Sequence, residues 1–235
     1  MEQCRRIESI DALRGLAVLL MVVHHFFFDL VEFCGFPGWL FSNPAFDVLH
    51  YLFAGLFILL SGVSSDFSRS NLKRGLKAFA LAMGITLVTG LIDMPVRFGV
   101  LHLLGFCMIF YGVTARIWDA IPRKLAPLLY LLGLLLTAPL VSGQPTQSTW
   151  LWPLGWVYPG FYSSDYFPIL PWVFVFLFGT WLGKYIREER FPTWFYTLRA
   201  PFLAAVGRRA LWIYLLHQPL LYGLTLLLQR FVLGG

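Results

Sequence analysis

Long apolar runs recur along the whole of this 235-residue chain, and they limit it to a narrow class of folds. A helix needs roughly 20 mostly apolar residues to cross the hydrocarbon core of a bilayer. The sequence therefore predicts an all-α integral membrane protein, a bundle of about seven transmembrane helices. The predicted spans lie at about 12–33, 46–65, 76–92, 98–118, 125–142, 168–186 and 209–232.

The composition agrees with lipid as the main solvent. The chain is 58% hydrophobic and 13% charged, whereas soluble domains are about 25% charged. Apolar residues continue along the whole length, so we expect residues 1–235 to form a single transmembrane domain. The cysteines Cys4, Cys34 and Cys107 lack metal-site spacing and predict neither a disulfide nor a structural metal.

The distribution of basic residues predicts the orientation, because cytoplasmic loops of membrane proteins are enriched in Lys and Arg. With seven spans and a cytoplasmic N-terminus, sixteen of the 18 Lys and Arg residues fall on the inner side. Arg97 and Arg230 fall on the outer side, with the C-terminus. The pI of about 9.4 thus reflects topology, and we expect no nucleic-acid partner.

The predicted outer segment 143–167 contains no Lys or Arg and is rich in aromatic residues, including Trp156. Such residues form belts at membrane surfaces. Alternatively, the segment is a lid that stacks on the ring of a sugar. The sequence leaves both interpretations open.

Polar side chains follow one face of the first predicted span. A helix advances about 100° per residue, so Asp11 and Asp29, eighteen residues apart, share a face. Arg14 and His25 lie about 40–60° from them, and His24 is turned about 100° away from His25. Charged groups inside a membrane are costly and usually face the protein interior. The stripe is either a set of structural hydrogen bonds or a functional seam.

Other spans place polar groups in the same predicted outer half of the membrane. Asp47 and His50 are three residues apart at the start of the second span, and His102 opens the fourth. Histidine is the natural general base near neutral pH, and a carboxylate beside it can orient it. His217 precedes Gln218 and Pro219, so it either stabilises a kink or contacts a substrate. Asp93 and Arg97 are expected to pair across a short loop.

Cations gather at the predicted cytoplasmic ends of the spans, where they could clamp phosphates. The alternative is the ordinary enrichment of basic residues on this side, although Arg14 also continues the polar stripe. The candidate cations are Arg14, Lys73, Arg74, Arg208 and Arg209.

The opening segment Arg6–Ala17 resembles the R-x-x-x-x-D-x-x-R-G motif of transmembrane acyltransferases. Arg14 and His25 match the Arg-x10-His arrangement of the family-three membrane acyltransferases. Later segments are similar to the branch that contains the heparan-α-glucosaminide N-acetyltransferase catalytic domain, or to a closing helix found across the group. These segments are Phe53–Gly62, Arg97–His102, Tyr166–Trp172 and Gly207–Pro219.

The resemblance implies a transferase that uses acetyl-CoA or another acyl-CoA from the cytoplasm and a sugar or glycan acceptor from outside. We expect no metal cofactor, and the resemblance together with the compact chain suggests a bacterial inner membrane. On this interpretation Arg14 helps to hold the CoA end, His25 deprotonates the acceptor or relays the acyl group, and Asp29 orients an imidazole. With the residues singled out by position, the candidate site residues are catalytic His25, Asp29 and His50; acyl-CoA-binding Arg14, Asp11, Lys73, Arg74, Arg208 and Arg209; and acceptor-side His24, Asp47, His102 and Trp156.

The chain departs from the lysosomal enzyme of that branch, which is longer and is thought to use a histidine in its first outer loop. Residues 34–45 contain no histidine, so that role would pass to His25 or His50, or the acyl relay would be absent. Two other classes stay open: a proton-coupled carrier of a small solute and a non-catalytic membrane subunit. A carrier usually has an internal repeat, and none is evident. Oligomeric state is also left open.

Overall fold

The structure is a computed structural model that describes residues 6–141 and 146–231, so Cys4 lies outside it. The described residues form nine helices and no strand, in agreement with the predicted all-α fold. Short 3₁₀ turns occur at Gly38–Leu40 and Trp152–Leu154. The helices are α1 (Glu8–Cys34), α2 (Pro44–Asp66), α3 (Asn71–Gly90), α4 (Val100–Ala120), α5 (Ala126–Val141), α6 (Ile169–Arg187), α7 (Thr193–Thr197), α8 (Pro201–Arg208) and α9 (Ala210–Phe231).

Each of the seven predicted spans coincides with one of the long helices. Five of these, α1, α2, α4, α6 and α9, are long and apolar enough to cross a membrane, so the chain is a multi-pass membrane protein. Helix α3 carries Lys73, Arg74 and Lys77 near its start. Helix α5 has only 16 residues, about 24 Å at 1.5 Å per residue, against a core of roughly 30 Å. Spanning by these two helices stays a prediction.

The described helices form two compact units. The first unit contains residues up to Phe57 together with residues from Phe191 onwards, and the second contains Ile58–Arg190. Helix α2 contributes its first part to one unit and its remainder to the other. Helices α1, α7, α8 and α9 belong to the first unit, and α3, α4, α5 and α6 to the second.

In the first unit, α1 packs closely against α8 at two glycines. A Cβ atom added to Gly15 would strike the Leu203 carbonyl, and one added to Gly207 would strike the Asp11 carbonyl. Small residues allow helix backbones to approach closely where lipid gives no hydrophobic drive for association. Helix α8 was not predicted, because its eight residues are too few to span a membrane and its partner is distant in sequence.

The contacts of α1 with α8 and α9 advance together along the chain. They show that α1 runs parallel to α8 and α9. Each step along α1 is matched by a step of about the same number of residues along α8 and α9. The paired positions are Gly15 with Gly207, His25 with His217, and Cys34 with Thr225.

Helix α1 ends where its backbone turns left-handed at Gly35, with a φ of +69°. Glycine has no Cβ and adopts this conformation without strain. The Phe36 amide then donates to the Leu30 carbonyl at 3.2 Å, which caps the last turn.

The second unit uses glycine contacts in the same way. Gly75 of α3 faces the backbone of α4 at Gly105 and Ile109, and Gly105 faces Phe79 in return. The remainder of α2 meets α6 where Gly62 approaches the backbone of Gly179. Backbones rather than long side chains therefore set the helix spacing here.

We expect Gly207→Ala to destabilise the protein by about 3 kcal/mol, because the new methyl group would overlap the α1 backbone and overpacking is costly. The loss should appear as a lower melting temperature of the detergent-purified protein. Gly223→Ala is the matched control, because Gly223 is also helical and has open space around it. Equal melting temperatures for the two variants would show that α8 does not pack on α1.

Candidate functional site

The first turns of α1 hold a charged cluster around Asp11. Asp11 is 4% exposed, and its carboxylate binds two guanidinium groups. Arg6 Nε lies 2.5 Å from Oδ2, and Arg14 Nη1 lies 2.8 Å from Oδ1. Two cations on one carboxylate leave a net positive charge at this end of the helix. Asp11 and Arg14, which were predicted to lie on one polar stripe of this helix, are therefore in direct contact.

The segment before α9 ties down the same end of α1. Ser9 Oγ donates to the Phe195 carbonyl at 2.5 Å. Glu8 accepts from the Arg199 side chain and from the Ala200 amide, each at 2.9 Å. Two further predicted cations, Arg208 and Arg209, are exposed at the end of α8.

One turn past the middle of α1, His24 faces α2. Its Nε2 lies 3.2 Å from Nδ1 of His50, which joins two predicted site residues. The rings of Phe41 and Phe53 pack against His24 at centroid distances of 4.9 and 5.5 Å. Asp47 is exposed, one turn before His50. His50, predicted to be catalytic, thus contacts His24 of α1.

The neighbouring His25 faces α9 instead. Its ring lies 5.0 Å from the ring of His217. His217 Nδ1 donates to the Tyr214 carbonyl at 2.6 Å, because a carbonyl can only accept. Asp29, one turn after His25, is fully buried. Its Oδ1 accepts from the Gln218 amide at 2.8 Å, so the described partner of Asp29 is an amide and not an imidazole.

The second unit holds the other predicted residues. His102 is 2% exposed, and both its nitrogens are used. Nδ1 accepts from the Gly99 amide at 3.2 Å. Nε2 donates to Thr86 Oγ1 at 3.0 Å, because that hydroxyl gives its own hydrogen to the Val96 carbonyl. His102 therefore joins the start of α4 to α3 and has no nitrogen left for a substrate.

The predicted pairing of Arg97 with Asp93 is wrong. Arg97 Nη1 donates to the Tyr158 hydroxyl at 2.6 Å, and its guanidinium lies 5.6 Å from the Phe161 ring centre. Phe161 in turn stacks on Trp152. Arg97 therefore binds the aromatic segment through a hydroxyl group and a ring face. These partners lie more than 60 residues away in the sequence, so they were not predicted.

The remaining predicted residues of the second unit have simpler surroundings. Lys73 and Arg74 are exposed in the first turn of α3, and Arg74 Nη1 donates to the Ser64 carbonyl at 3.2 Å. Trp156 is half-buried in the aromatic segment, where its amide donates to the Leu151 carbonyl at 3.3 Å.

A comparison with known families now gives the site a context. The family model for heparan-alpha-glucosaminide N-acetyltransferase, catalytic, matches residues 6–219. The chain belongs to this family. Searches of curated proteins and of solved structures found no match. The predicted resemblance to the heparan-α-glucosaminide N-acetyltransferase branch is confirmed, and the chain is a membrane protein with an acetyltransferase catalytic domain.

The acetyltransferase domain also has a cavity of about 260 Å³ in its second unit. None of the predicted site residues lines it. Its walls come from the end of α4, the start of α5 and the end of α6, and they include Trp118, Tyr130, Trp181, Arg123, Lys184 and Arg187.

The cations of this cavity each have a carboxylate partner. Lys184 binds Asp119, and Arg187 binds Asp66 at 3.1 Å. The Arg123 guanidinium binds Glu188 and holds the pKa of that exposed carboxyl below its usual value. The charges of the cavity are largely balanced, so it lacks the surplus of positive charge that a phosphate clamp needs.

Two residues of the His25 cluster were missing from the predicted site. His217 had two open interpretations, and Gln218 had none. The signal available in the sequence was the short run His217-Gln218-Pro219 in an otherwise apolar helix. Its partners on α1 are almost 190 residues away, so the run did not reveal what it contacts. Among the described residues, no group of three or more His, Cys, Asp or Glu side chains is arranged to hold a metal ion.

We expect Asp11→Asn to lower the free energy of unfolding of the acetyltransferase domain by about 3 kcal/mol. The substitution removes the carboxylate charge that both Arg6 and Arg14 bind, and breaking a buried ion pair is strongly destabilising. Thermal unfolding in detergent measures the effect. Glu8→Gln is the control, because Glu8 forms an exposed pair with Arg199 and such pairs contribute little. A larger loss for Glu8→Gln would contradict the central role of Asp11.

Proposed function

We propose that this protein transfers an acetyl or other acyl group from cytoplasmic acyl-CoA to a sugar or glycan on the outer side of the membrane. Family membership supports the transferase class. The donor, the acceptor and the assignment of sides belong to the proposal, as does a bacterial inner membrane as the location.

The observation that carries the proposal is the sharing of α1 by two polar clusters. Arg14 and Asp11 form the charged cluster, and His25 and Asp29 belong to the imidazole cluster. Arg14 and His25 are eleven residues apart, about 16 Å along the helix. Helices α8 and α9 run beside α1 in parallel, so they add Arg208 and Arg209 near the first cluster and His217 near the second. In this proposal, the three helices together supply an anion-binding end and a base.

The charged end suits the nucleotide part of acyl-CoA, which carries several phosphates. Arginine binds phosphate oxygens through two parallel hydrogen bonds. In this proposal Arg14, positioned by Asp11, binds the donor together with Arg208 and Arg209. Lys73 and Arg74 remain predicted contacts of the same kind.

At the imidazole cluster, His25 acts as general base. The acceptor hydroxyl or amine attacks the thioester carbonyl carbon while its proton passes to His25. The tetrahedral intermediate then breaks the carbon–sulfur bond, and the imidazolium returns the proton to the departing thiolate. The products are the acylated acceptor and the free thiol of CoA, so no proton is gained or lost overall.

His24, the residue before His25, faces α2 and forms a pair with His50. With Asp47 and Trp156 this pair belongs to the proposed acceptor side. Its aromatic surroundings and its direct imidazole contact suit a group that supports the site. We leave His102 out of the proposed site because both its nitrogens bind the protein.

We expect purified protein to release free CoA from acetyl-CoA when a suitable sugar is present. His25→Ala should lower this turnover at least about 100-fold, since general bases contribute about 10²–10⁴-fold. A thiol-reactive dye measures CoA release. Val23→Ala is the matched control, because Val23 lies on the same helix and is 49% exposed.

Equal turnover in wild type and His25→Ala would remove His25 from the mechanism. Solute uptake into vesicles without CoA would instead support a carrier. Tolerance of all five histidines to simultaneous replacement would support a non-catalytic subunit.

The proposed sidedness rests on the sixteen basic residues predicted inside and the two predicted outside. The parallel course of α1 and α9 is in keeping with it. Two parallel spans at the ends of a chain require an odd number of crossings, and both five and seven are odd. The C-terminus then lies on the side opposite the N-terminus.

We expect a cysteine at position 148 to react from outside intact cells with a membrane-impermeant maleimide, and a cysteine at position 68 to stay protected until the membrane is opened. Ser148→Cys and Ser68→Cys lie in loops of opposite predicted side. Both would be made in a background in which Cys4, Cys34 and Cys107 are replaced by serine. The opposite labelling pattern would invert the proposed topology.

A further inference from the structure

Four buried polar atoms in the first unit have no hydrogen-bond partner among the described residues. Three of them, Asp29 Oδ2, His217 Nε2 and Gln218 Oε1, belong together. Asp29 is fully buried and His217 is 9% exposed. The three residues form one cluster, because Gln218 follows His217 on α9 and its amide binds the other oxygen of Asp29. Buried polar groups are seldom left unpaired in proteins.

All three atoms are hydrogen-bond acceptors. His217 Nδ1 carries the hydrogen that it gives to Tyr214, so Nε2 of the neutral ring has the lone pair. Gln218 Nε2 donates to Asp29 Oδ1, so the other amide atom, Gln218 Oε1, is an acceptor. Asp29 Oδ2 is an acceptor in the ionised carboxylate, which is the form taken here for Asp29.

Two acceptors cannot form a hydrogen bond with each other, so no rearrangement of these side chains alone gives the three atoms hydrogen-bond donors. His24 Nδ1 is also buried and unpaired, but its contact with His50 permits either tautomer, and it carries no weight here. The cluster is therefore complementary to a molecule that presents several hydrogen-bond donors. Hydroxyl groups and protonated amines have that property.

We infer that Asp29, His217 and Gln218 form the subsite that binds the donor hydrogens of the acceptor molecule, a polyhydroxyl or amino compound. This inference rests on the proposed function. His217 Nε2 accepts a hydrogen bond from a hydroxyl or amine beside the group that will be acylated, and Asp29 and Gln218 accept from its other neighbours. The hydrogen of the reacting group itself goes to His25, whose ring lies 5.0 Å from that of His217.

The kinetic test uses His217→Asn. The asparagine amide nitrogen occupies the place of Nδ1, so it can still donate to the Tyr214 carbonyl, whereas Nε2 is lost. We expect the KM for the sugar to rise about tenfold, the value of one lost hydrogen bond to a polar group. The kcat and the KM for acetyl-CoA should stay within about twofold of wild type. His217→Gln, which restores an acceptor near the position of Nε2, should recover part of the affinity.

Asp29→Asn extends the test to the carboxylate, whose charged hydrogen bonds are stronger. We expect its KM for an amino sugar to rise more than its KM for a neutral sugar. A fall in kcat for His217→Asn with an unchanged sugar KM would make His217 the base and overturn the assignment. Lower melting temperatures with unchanged kinetic constants in both variants would show a structural role only and would also overturn it.

A binding test without acetyl-CoA separates this inference from the proposed function. D-glucosamine and methyl glucoside should raise the melting temperature of the wild type, because ligands that bind the folded state stabilise it. Fully O-methylated methyl glucoside, which has no donor hydrogens, should not. Asp29→Asn and His217→Asn should lose the response. Wild-type turnover without any such stabilisation would overturn the subsite and spare the transferase, and stabilisation without turnover would do the reverse.

Discussion

The close parallel packing of α1 on α8 and α9 is the constraint on which the candidate site depends. Gly15 and Gly207 remove the side chains that would hold the backbones apart. Their contact fixes the register, and the register determines which groups meet further along. Ten residues past the glycines, the two histidine rings face each other at 5.0 Å. The chemistry of the cluster therefore depends on a glycine contact about 15 Å away along the helix axis.

Inside a lipid bilayer, a polar group of these helices can be paired in one of two ways. A polar atom facing hydrocarbon cannot bind water, so it must find a protein partner or a ligand. His102 shows the first outcome, since each of its nitrogens has a defined partner in the second unit. Asp29, Gln218 and His217 show a mixed outcome, since each has one bound atom and one unpaired atom. The second pattern distinguishes a candidate binding group from a structural one.

The sequence predicted the long helices because the thickness of a bilayer imposes a length and an apolar composition that are visible in any single segment. It also predicted that Arg14 and Asp11 would lie on one stripe, because they are three residues apart on one helix. Contacts between distant segments were not predictable in this way. Arg97 binds Tyr158, whereas a pair with nearby Asp93 had been predicted. His24 contacts His50 of α2, whereas its neighbour His25 lies beside His217 of α9. Helix α8 was not predicted, because its eight residues are too few to form an apolar run of bilayer length.

His217 shows why its two interpretations could not be separated from the sequence. The Pro219 ring removes a backbone donor from α9, so a histidine that stabilises the helix and a histidine that contacts a substrate were both open. The structure shows Nδ1 bound to the Tyr214 carbonyl, one turn earlier, whereas the carbonyl that Pro219 leaves without its usual donor is that of Leu215. The same bond fixes the hydrogen on Nδ1 and leaves the lone pair on Nε2, which is buried and has no partner among the described residues. Binding of the side chain to its own helix and presentation of an acceptor to a ligand are consequently two effects of one hydrogen bond.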